Sequence, residues 1–358
     1  MFAHSCAEEP SATVMPPEWA PHERTWMAFP PANETFGPPG SETLSRARAA
    51  WTAVARTVAG YEPVTVVVAP GDAEQAAALL GPGVDTAVVP LDDAWLRDTG
   101  LTFVHGPDGR VLGVDWTFNG WGAQRWAVWE SDRLVGRGMA ELAGVPRIPS
   151  SLVNEGGGFC VDASGTVLLT ETVQLDAARN PGLSKGDIEA EVYARLGTGH
   201  AVWLPRGLTR DYGEFGTRGH VDIVASFTES GTVLLHRQDD PRHPDHEVTR
   251  CLRRVLEGAV DGRGNPLRVV DVPAPETLTD EDGEFVDWSY INHYVANGVV
   301  VLCAFDDPRD EDAARILAEA YPGRDIAQVD ARDIFRFGGG IHCITQQQPT
   351  SREQGRTL

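Results

Sequence analysis

The stretch HYVANGVVVLCAF (293–305) places two short apolar runs on either side of Asn297-Gly298. Asn-Gly between apolar runs is a strong signal for a β-hairpin, because both residues accept the positive φ of a tight turn. Three further stretches share this pattern, with Asp-Gly or Ser-Gly at the turn. They are LTFVHGPDGRVLGVDW (101–116), FCVDASGTVLLTE (159–171) and IVASFTESGTVLLHR (223–237). The sequence therefore predicts four hairpins along the chain.

A helical stretch and one more strand follow the hairpins. The helical stretches are rich in Ala, Arg and Glu, and each precedes another apolar run. The hairpins start about 50 to 70 residues apart, a spacing typical of repeated supersecondary modules. After the second, third and fourth hairpins the helix and strand are predicted at 184–195 with 201–205, 246–258 with 267–273, and 310–320 with 325–330. We therefore predict an α/β chain of repeated ββαβ modules around a centre.

The two ends of the chain are predicted to form a fifth module. TWMAF (25–29) precedes a helix at 41–59, a strand at 64–69 and a further helix-strand pair that ends at Val89. GGGIHCITQ (338–346) would pair with the N-terminal strand and close a ring, which removes exposed sheet edges. Without this closure, the same pattern fits an ordinary α+β sheet with hairpin insertions.

We predict one catalytic domain over residues 1–358, since no linker divides the chain, with flexible tails at 1–12 and 350–358. No run of 18 apolar residues suggests a membrane span, and the first residues lack the features of a secretory signal. The cysteines are odd in number and lack CxxC spacing, which favours a reducing compartment, so we expect a cytoplasmic protein. They are Cys6, Cys160, Cys251, Cys303 and Cys343.

The net charge narrows the choice of partner. The chain carries 52 acidic and 30 basic side chains, a formal charge of −22. Nucleic acids and anionic membranes require a basic surface, so we expect neither as a partner. The charge suits a small cationic substrate, although such a field governs steering and solubility rather than fold.

Polar side chains accumulate where the hairpins begin, and in a ring of equivalent modules these positions face one centre. They are Asp98, Glu155, His220 with Asp222, Asn292 and, at the chain end, Cys343. His220 and Asp222 are two residues apart on a presumed strand and would point to the same face. The sequence therefore predicts that distant positions converge in one pocket.

These residue types fit the hydrolysis of a guanidinium group. A guanidinium is planar, permanently charged and rich in hydrogen-bond donors, so rigid carboxylates must hold it, and Asp98 and Asp222 are our candidates. Cys343 would supply the thiolate that attacks its carbon, and His220 would transfer protons. Glu155 would either orient His220 or make a third contact with the substrate.

Three other residues near these positions have two readings each. Trp95 and Trp121 could stack on a cationic substrate or belong to the core. Asn292 could line the pocket or complete a strand end. Gly340 belongs to a group of glycines that would allow close approach of backbone to the pocket. The cluster His236, His243, Asp245 and His246 lacks a matching ligand at metal spacing, so we interpret it as a solvated loop.

Several motifs make the chain resemble the agmatine deiminase family, which is related to bacterial peptidylarginine deiminases and belongs to the guanidino-group-modifying enzymes. The resemblance spans about residues 14–349, and the last motif is highly specific. The motifs are MPPEWAPHERTWMAFP (15–30), DDAWLRDTGLTF (92–103), VDWTFNGWG (114–122), EGGGFCVD (155–162), RNPGLSK (179–185), GHVD (219–222), SYINHYVANG (289–298) and GGGIHCITQQQP (338–349).

The resemblance implies a five-bladed α/β propeller, with Cys343 as nucleophile, His220 and Glu155 as its partners, and Asp98 and Asp222 as guanidinium ligands. It implies neither a metal nor an organic cofactor. The chain departs from the family at Leu101, at Gly158-Phe159-Cys160 and at Arg218, which stands where the family usually has an acidic or amide residue. Arg218 could contact a substrate carboxylate or be paired within the protein.

We therefore expect hydrolysis of the guanidinium of a small arginine-derived substrate, foremost agmatine to N-carbamoylputrescine and ammonia, through a covalent amidino-cysteine intermediate. Arginine or another guanidino acid is the alternative substrate if Arg218 binds a carboxylate. An amidinotransferase and a non-catalytic propeller that binds cations are the rival functions. Whether the chain forms a homodimer or a higher homo-oligomer stays open.

Overall fold

The computed structural model describes residues 13–352, which form a mixed α/β fold with five small sheets. Four of these sheets have three strands and one has four. The strands in chain order are β1 (His22–Ala28), β2 (Val64–Val68), β3 (Asp85–Val88), β4 (Thr102–His105), β5 (Val111–Thr117), β6 (Arg147–Val153), β7 (Phe159–Val161), β8 (Thr166–Thr170), β9 (His200–Leu204), β10 (Ala225–Phe227), β11 (Thr232–Arg237), β12 (Arg268–Pro273), β13 (Tyr294–Ala296), β14 (Val299–Ala304), β15 (Asp325–Asp330) and β16 (Thr345–Pro349).

In each three-stranded sheet a helix connects the second strand to the third, and further helices lie in the other connections. Within the described residues they are α1 (Glu42–Ala59), α2 (Ala73–Leu80), α3 (Leu96–Thr99), α4 (Gly120–Ala123), α5 (Val135–Ala143), α6 (Glu171–Gln174), α7 (Lys185–Leu196), α8 (Asp245–Glu257), α9 (Asp310–Ala320) and α10 (Arg332–Arg336). Local capping explains two starts: the Ser41 hydroxyl accepts from the N–H of Leu44, and Ser184 forms a capping box with Asp187.

One connection pattern recurs in the four three-stranded sheets. An antiparallel hairpin, such as β13–β14, is followed by a helix and a third strand that pairs in parallel with the second, as β15 does with β14. The hairpin turns contain Gly109, Gly165, Gly231 and Gly298, all at φ between 72° and 89°. A side chain at such φ is strained, so the Asp-Gly, Ser-Gly and Asn-Gly signals indicated real turns.

The remaining sheet joins the two ends of the described chain in the order β16-β1-β2-β3. Strand β16 pairs antiparallel with β1, with Thr345 opposite Met27, and therefore takes the place of a hairpin partner. The predicted pairing of the C-terminal segment with the N-terminal strand is confirmed. Only residues 345–349 of that segment are extended, because Gly338–Gly340 form a loop.

The starts of the hairpins differ from our prediction in local geometry. We expected His220 and Asp222 on one strand, but Val221–Ile223 form a 3-10 turn, and His220 immediately precedes it. Asp98 lies in α3, Gly156–Gly158 form another 3-10 turn after Glu155, and His342–Ile344 form a third. A helical turn places a side chain and the neighbouring N–H groups at the same end of the sheet. Along a strand, by contrast, successive side chains alternate between the two faces.

The solvated loop expected at His236–His246 was also wrong. His236, His243 and Asp245 are each at most 5% exposed, and the N–H of Asp245 donates to His243 Nδ1 at 3.1 Å. The predicted tail at 1–12 lies outside the described residues, and so does the part of the tail predicted at 350–358 that follows residue 352. Arg352, inside them, donates its backbone N–H to the carbonyl of Gly109 at 2.9 Å. Among the helices of residues 13–352, none is both long and apolar enough to cross a bilayer.

Candidate active site

Cys343 lies in the 3-10 turn before β16 and is 3% exposed. Its thiol donates to Asp222 Oδ2 at 3.4 Å, and Asn292 Nδ2 donates to the sulfur at 3.3 Å. Burial and the charges of Asp222 and Asp98 raise the pKa of this thiol well above its usual range. A cation placed between the sulfur and the carboxylates would lower that pKa, because it favours the thiolate.

Asn292 fixes the segment that carries the thiol. Its Oδ1 accepts from the N–H of His342 at 3.0 Å, and its Nδ2 donates to the carbonyl of Asp222 at 3.2 Å. Gly340 allows this approach, since a Cβ there would lie 2.5 Å from Asn292 Oδ1. Asn292 therefore ties the chain at Asp222 to the chain at Cys343. Direct contacts of Asn292 and Gly340 with a substrate stay predictions.

Asp98 is 5% exposed and held on both oxygens. Its Oδ1 accepts from the N–H of Gly157 at 3.0 Å, and its Oδ2 accepts from Trp121 Nε1 at 2.9 Å. Burial, with the nearby charges of Glu155 and Asp222, raises the pKa of Asp98 to about 6 although His220 opposes the shift. An incoming cation would stabilise the ionised form of this carboxylate.

His220 and Glu155 form a buried pair. Both are fully buried, and His220 Nε2 lies 3.2 Å from Glu155 Oε2. His220 Nδ1 lies 3.9 Å from Asp98 Oδ1. Burial alone would lower the pKa of His220, but Asp98 and Glu155 outweigh it and raise the pKa to about 9. The imidazole is therefore a cation near neutral pH and can donate a proton.

Sequence reasoning missed Arg179, which holds Glu155. The Arg179 side chain is buried, and its Nε lies 3.0 Å and 3.1 Å from the two oxygens of Glu155. Its Nη2 donates to the carbonyl of Thr217 at 2.7 Å, in the loop that leads to His220. Burial would raise the pKa of Glu155, but Arg179 and His220 lower it. A buried glutamate requires a cation, so the need for a partner could be stated from the sequence, although not that Arg179 supplies it.

Arg218 lies at the outer end of the same ion-pair chain. Its Nη1 donates to Asp176 Oδ2 at 3.1 Å, and that oxygen also accepts from Arg179 Nη1 at 3.0 Å. The Arg218 side chain is 37% exposed, and its backbone has a left-handed φ of 71°. Of the two readings left open for Arg218, the structure shows pairing within the protein.

A second partner that we missed is His342, next to the thiol in sequence. Its Nδ1 lies 2.7 Å from Asp222 Oδ2, and its Nε2 lies 2.6 Å from Glu18 Oε1. Burial would raise the pKa of Asp222, but His342 lowers it. Arg97, itself buried, donates to Glu18 at 3.4 Å and to the carbonyl of His342 at 3.2 Å. Asp222 is thus kept ionised beside the sulfur.

Two polar atoms face the space between these groups. Among the described residues, neither Asp222 Oδ1 nor His220 Nδ1 has a hydrogen-bond partner, although both are buried. Gly157 borders that space, since a Cβ there would lie 2.5 Å from His220 Nδ1 and 3.0 Å from Asp222 Oδ2. A buried carboxylate oxygen without a partner is costly, so Asp222 Oδ1 suits a donor-rich cation, whereas Nδ1 of a protonated His220 is itself a donor.

Both tryptophans flank the site as well as the core. A Cβ on Gly339 would lie 2.9 Å from Trp95 and 3.0 Å from Cys343 Sγ, while the Trp95 ring packs edge-on against Trp51 at 5.3 Å. Trp121 stacks on Trp126 at 5.2 Å and donates to Asp98. The two readings left open for these residues are therefore compatible, and stacking on a substrate stays a prediction.

The fold and the site define an α/β enzyme of the deiminase class, with a thiol surrounded by carboxylates and a histidine. The chain belongs to the Porphyromonas-type peptidyl-arginine deiminase family, whose model matches residues 14–349.

Relatives and solved structures agree with this assignment. The agmatine deiminase of Ectopseudomonas mendocina is 39% identical over 357 residues, which cover 94% of this chain and 95% of that protein. A Streptomyces coelicolor protein with a provisional agmatine deiminase name is 59% identical over 335 residues, covering 94% and 98%. The structure of agmatine deiminase of Enterococcus faecalis superimposes with a TM-score of 0.88 at 30% identity, covering 94% and 96%.

Proposed function

We propose that this enzyme hydrolyses the guanidinium group of agmatine to N-carbamoylputrescine and ammonia. The observation that carries the proposal is the contact of the buried Cys343 thiol with Asp222, in a cluster that also holds Asp98, Glu155 and His220. The names of the relatives, at 39% and 59% identity over nearly the whole chain, support agmatine as the substrate.

Asp98 and Asp222 bind the guanidinium in this proposal. Asp222 Oδ1, without a partner among residues 13–352, accepts one N–H, and Asp98 accepts another once the cation has ionised it. Carboxylate–guanidinium bonds of this kind are charge-assisted and directional. They hold the central carbon beside the sulfur and lower the pKa of the thiol at the same time.

The reaction then proceeds in two steps. The thiolate of Cys343 forms a bond to the guanidinium carbon, and one C–N bond breaks as the imidazolium of His220 gives a proton to the departing ammonia. Neutral His220 next takes a proton from water, whose oxygen attacks the amidino-thioether and releases the ureido product with the thiol. Glu155, held by Arg179, keeps His220 oriented and basic enough for both transfers.

The same proposal includes the arrangement of the sheets. Each of the four hairpin starts and the β16 start supplies a residue to the cluster, which is what five blades around one axis would produce. We propose that the five small sheets are the blades of a five-bladed α/β propeller with the reaction at its centre. Cytoplasmic location, a homo-oligomeric state and the absence of a cofactor stay predictions.

A colorimetric assay for ureido product and ammonia over a panel of guanidines tests the function. We expect turnover of agmatine that is lost in Cys343→Ala. An added amine that yields a new guanidine would instead indicate an amidinotransferase. Binding of guanidines without any ureido product or ammonia would indicate a non-catalytic protein.

The same panel tests the alternative of a guanidino acid. Arg218 is neutralised by Asp176, so we expect agmatine to be preferred over arginine by kcat/KM. A large preference for a guanidino acid would contradict the proposed substrate while leaving the reaction intact.

A further inference from the structure

Among the described residues, two chains of ion pairs reach the catalytic cluster in the same order: arginine, glutamate, histidine and aspartate. The first runs from Arg179 through Glu155 to His220. It ends at Asp98, whose Oδ1 lies 3.9 Å from His220 Nδ1. That Nδ1 has no hydrogen-bond partner within residues 13–352, so one side of this ring stays available to exchange a proton with the substrate.

The second chain encloses its histidine on both sides. Its arginine, Arg97, donates to Glu18 Oε1 at 3.4 Å. The same oxygen lies 2.6 Å from His342 Nε2, and His342 Nδ1 lies 2.7 Å from Asp222 Oδ2. An ionised carboxylate only accepts hydrogen bonds, so each ring nitrogen that faces one must carry a proton. The contacts therefore select the imidazolium form of His342, which has no nitrogen left for proton exchange with a substrate.

The groups that surround His342 favour this cation. The acids are Asp222 and Glu18, and the nearby bases are Arg97 and His293. Burial lowers the pKa of His293 to about 4, so that ring adds no charge near neutral pH. Burial and the charge of Arg97 would lower the pKa of His342, but Glu18 and Asp222 outweigh them and raise it. Because His342 is buried, solvent screens these pairs little.

His342 occupies one oxygen of Asp222 and leaves the other free. Asp222 Oδ2 accepts from His342 and from the Cys343 thiol, whereas Oδ1 has no hydrogen-bond partner within the described part of the chain. Oδ1 is the oxygen that accepts the guanidinium in the proposed function. The positive ring also offsets the charge of Asp222 beside the sulfur. A neutral ring would leave a stronger negative field there and disfavour the thiolate, because like charges oppose ionisation.

We propose that His342 is a positioning residue: a permanent imidazolium that holds one oxygen of Asp222, turns the other toward the guanidinium and weakens the negative field at the Cys343 sulfur. The assignment rests on the proposed function. It gives the two histidines different roles, because His220 transfers protons whereas His342 keeps its own. Glu18 belongs to the same assembly, since its carboxylate holds the second N–H of the His342 ring.

The pH profile of kcat/KM for agmatine tests the role of His342. Glu18→Gln keeps the shape of the side chain and an acceptor oxygen near His342 Nε2 but removes a charge that raises the pKa of the ring. The ring should then lose its proton at lower pH, so we expect the alkaline limb to move down by at least about one pH unit. Glu23→Gln is the matched control, because it removes one exposed carboxylate from β1 and should leave the profile unchanged.

A double variant shows whether the effect passes through the ring. His342→Gln keeps a neutral donor but no titrating group beside Asp222, and we expect kcat/KM for agmatine to fall by about 10- to 100-fold, because a charge-assisted contact is lost. In the His342→Gln background, Glu18→Gln should no longer move the alkaline limb, since the titrating ring is absent. A thermal unfolding curve for each variant shows that it is folded.

A second readout is independent of turnover. In protein that contains isotopically labelled histidine, the imidazole signals that disappear in His342→Gln belong to His342. NMR spectra over a range of pH should show both of its ring nitrogens protonated at neutral pH in the wild-type enzyme. In Glu18→Gln this state should be lost at lower pH, and if that variant does not fold, the wild-type spectra still decide the charge of the ring.

The outcomes separate the two proposals. If the wild-type enzyme turns over no guanidine, the proposed function fails and the role of His342 fails with it. If it turns over agmatine, a neutral His342 at neutral pH overturns the role of His342 alone. So does an alkaline limb that Glu18→Gln does not move, or moves equally in the His342→Gln background, even if kcat/KM falls at every pH.

Discussion

Two buried thiols contact the same asparagine, and their surroundings differ mainly in charge. Cys343 receives a hydrogen bond from the Asn292 side chain at 3.3 Å, whereas Cys303, on β14, donates to the Asn292 carbonyl at 3.2 Å. Cys343 faces Asp222 at 3.4 Å. Cys303 is fully buried in a strand of valine, leucine and alanine.

Burial alone does not make either thiol a nucleophile. It raises the pKa of Cys303 to about 12 and that of Cys343 well above its usual range. The difference lies in what can reverse the shift. The carboxylates beside Cys343 can hold a cation next to the sulfur, whereas Cys303 lies in an apolar strand and its thiol bonds a neutral carbonyl.

The largest expected effect comes from removing each thiol in turn. We expect Cys343→Ala to lower the turnover of agmatine by at least about 10⁴-fold, because loss of a nucleophile leaves only binding and electrostatic contributions. Cys303→Ala should keep activity within about threefold and lower the free energy of unfolding by about 1 kcal/mol, from a small cavity. Steady-state kinetics and urea unfolding measure both. Equal loss of turnover in the two variants would remove the distinction between the thiols.

The next effect tests whether charge sets the difference. Asp98→Asn keeps the shape of the side chain and one of its two acceptor oxygens, and it removes a charge that raises the pKa of Cys343. Without that charge the thiolate is favoured, so the pH midpoint for iodoacetamide labelling of Cys343 should fall. Turnover should nevertheless drop by about 10²- to 10³-fold, since the guanidinium loses a buried counter-charge. Mass spectrometry resolves the labelled peptides.

Cys303 provides the internal control, because its fully buried thiol should stay unlabelled in both proteins unless the variant unfolds. Should both thiols change equally, or should Asp98→Asn keep full turnover, the role assigned to Asp98 is wrong.

Much of the fold and of the candidate site could be predicted from the sequence. Gly after Asp, Ser or Asn marked all four hairpin turns. The alternation of helical and apolar stretches predicted the bounds of α9 and β15 to the residue. Cys343, His220, Glu155, Asp98 and Asp222 were predicted to converge because hairpin starts repeat, and the structure brings them together. Periodicity could not show that those starts are helical turns, since three-residue turns carry no repeating signal.

The residues that sequence reasoning missed are the counter-ions. Arg179, His342 and Arg97 lie beside buried carboxylates only in the folded structure. No spacing rule relates Arg179 to Glu155 in the sequence. The requirement for a buried partner could still have been stated, because an ionised glutamate is not buried alone. What could not be foreseen is which arginine of the chain meets that requirement.

A smaller effect is expected from Arg179→Gln. Arg179 lowers the pKa of Glu155, so its removal raises that pKa, and the acid limb of the pH profile of kcat/KM should move to higher pH. Turnover at pH 7 should fall by about 10- to 100-fold through loss of orientation of His220. The labelling of Cys303 should not change.

Stability gives a second measurement for this variant. An ionised Glu155 with a lowered pKa contributes stability that is present above its unfolded pKa and is lost as the pH falls through the folded pKa. Arg179→Gln removes much of that contribution, so the free energy of unfolding at pH 7 should fall by about 3 kcal/mol. An unchanged acid limb with a large loss of stability would reduce Arg179 to a structural role.

The smallest effect is expected from Arg218→Gln, at the exposed end of the same ion-pair chain. Arg218 contacts Asp176 rather than Glu155, and its side chain is 37% exposed, so solvent screens the pair to about 0–1 kcal/mol. We expect kcat/KM for agmatine to change less than about threefold, with an unchanged acid limb. Added salt should reduce even this difference, whereas it should leave the buried Arg179 effect intact. A tenfold gain for agmatine, or a selective loss for guanidino acids, would instead place the charge of Arg218 beside the substrate tail.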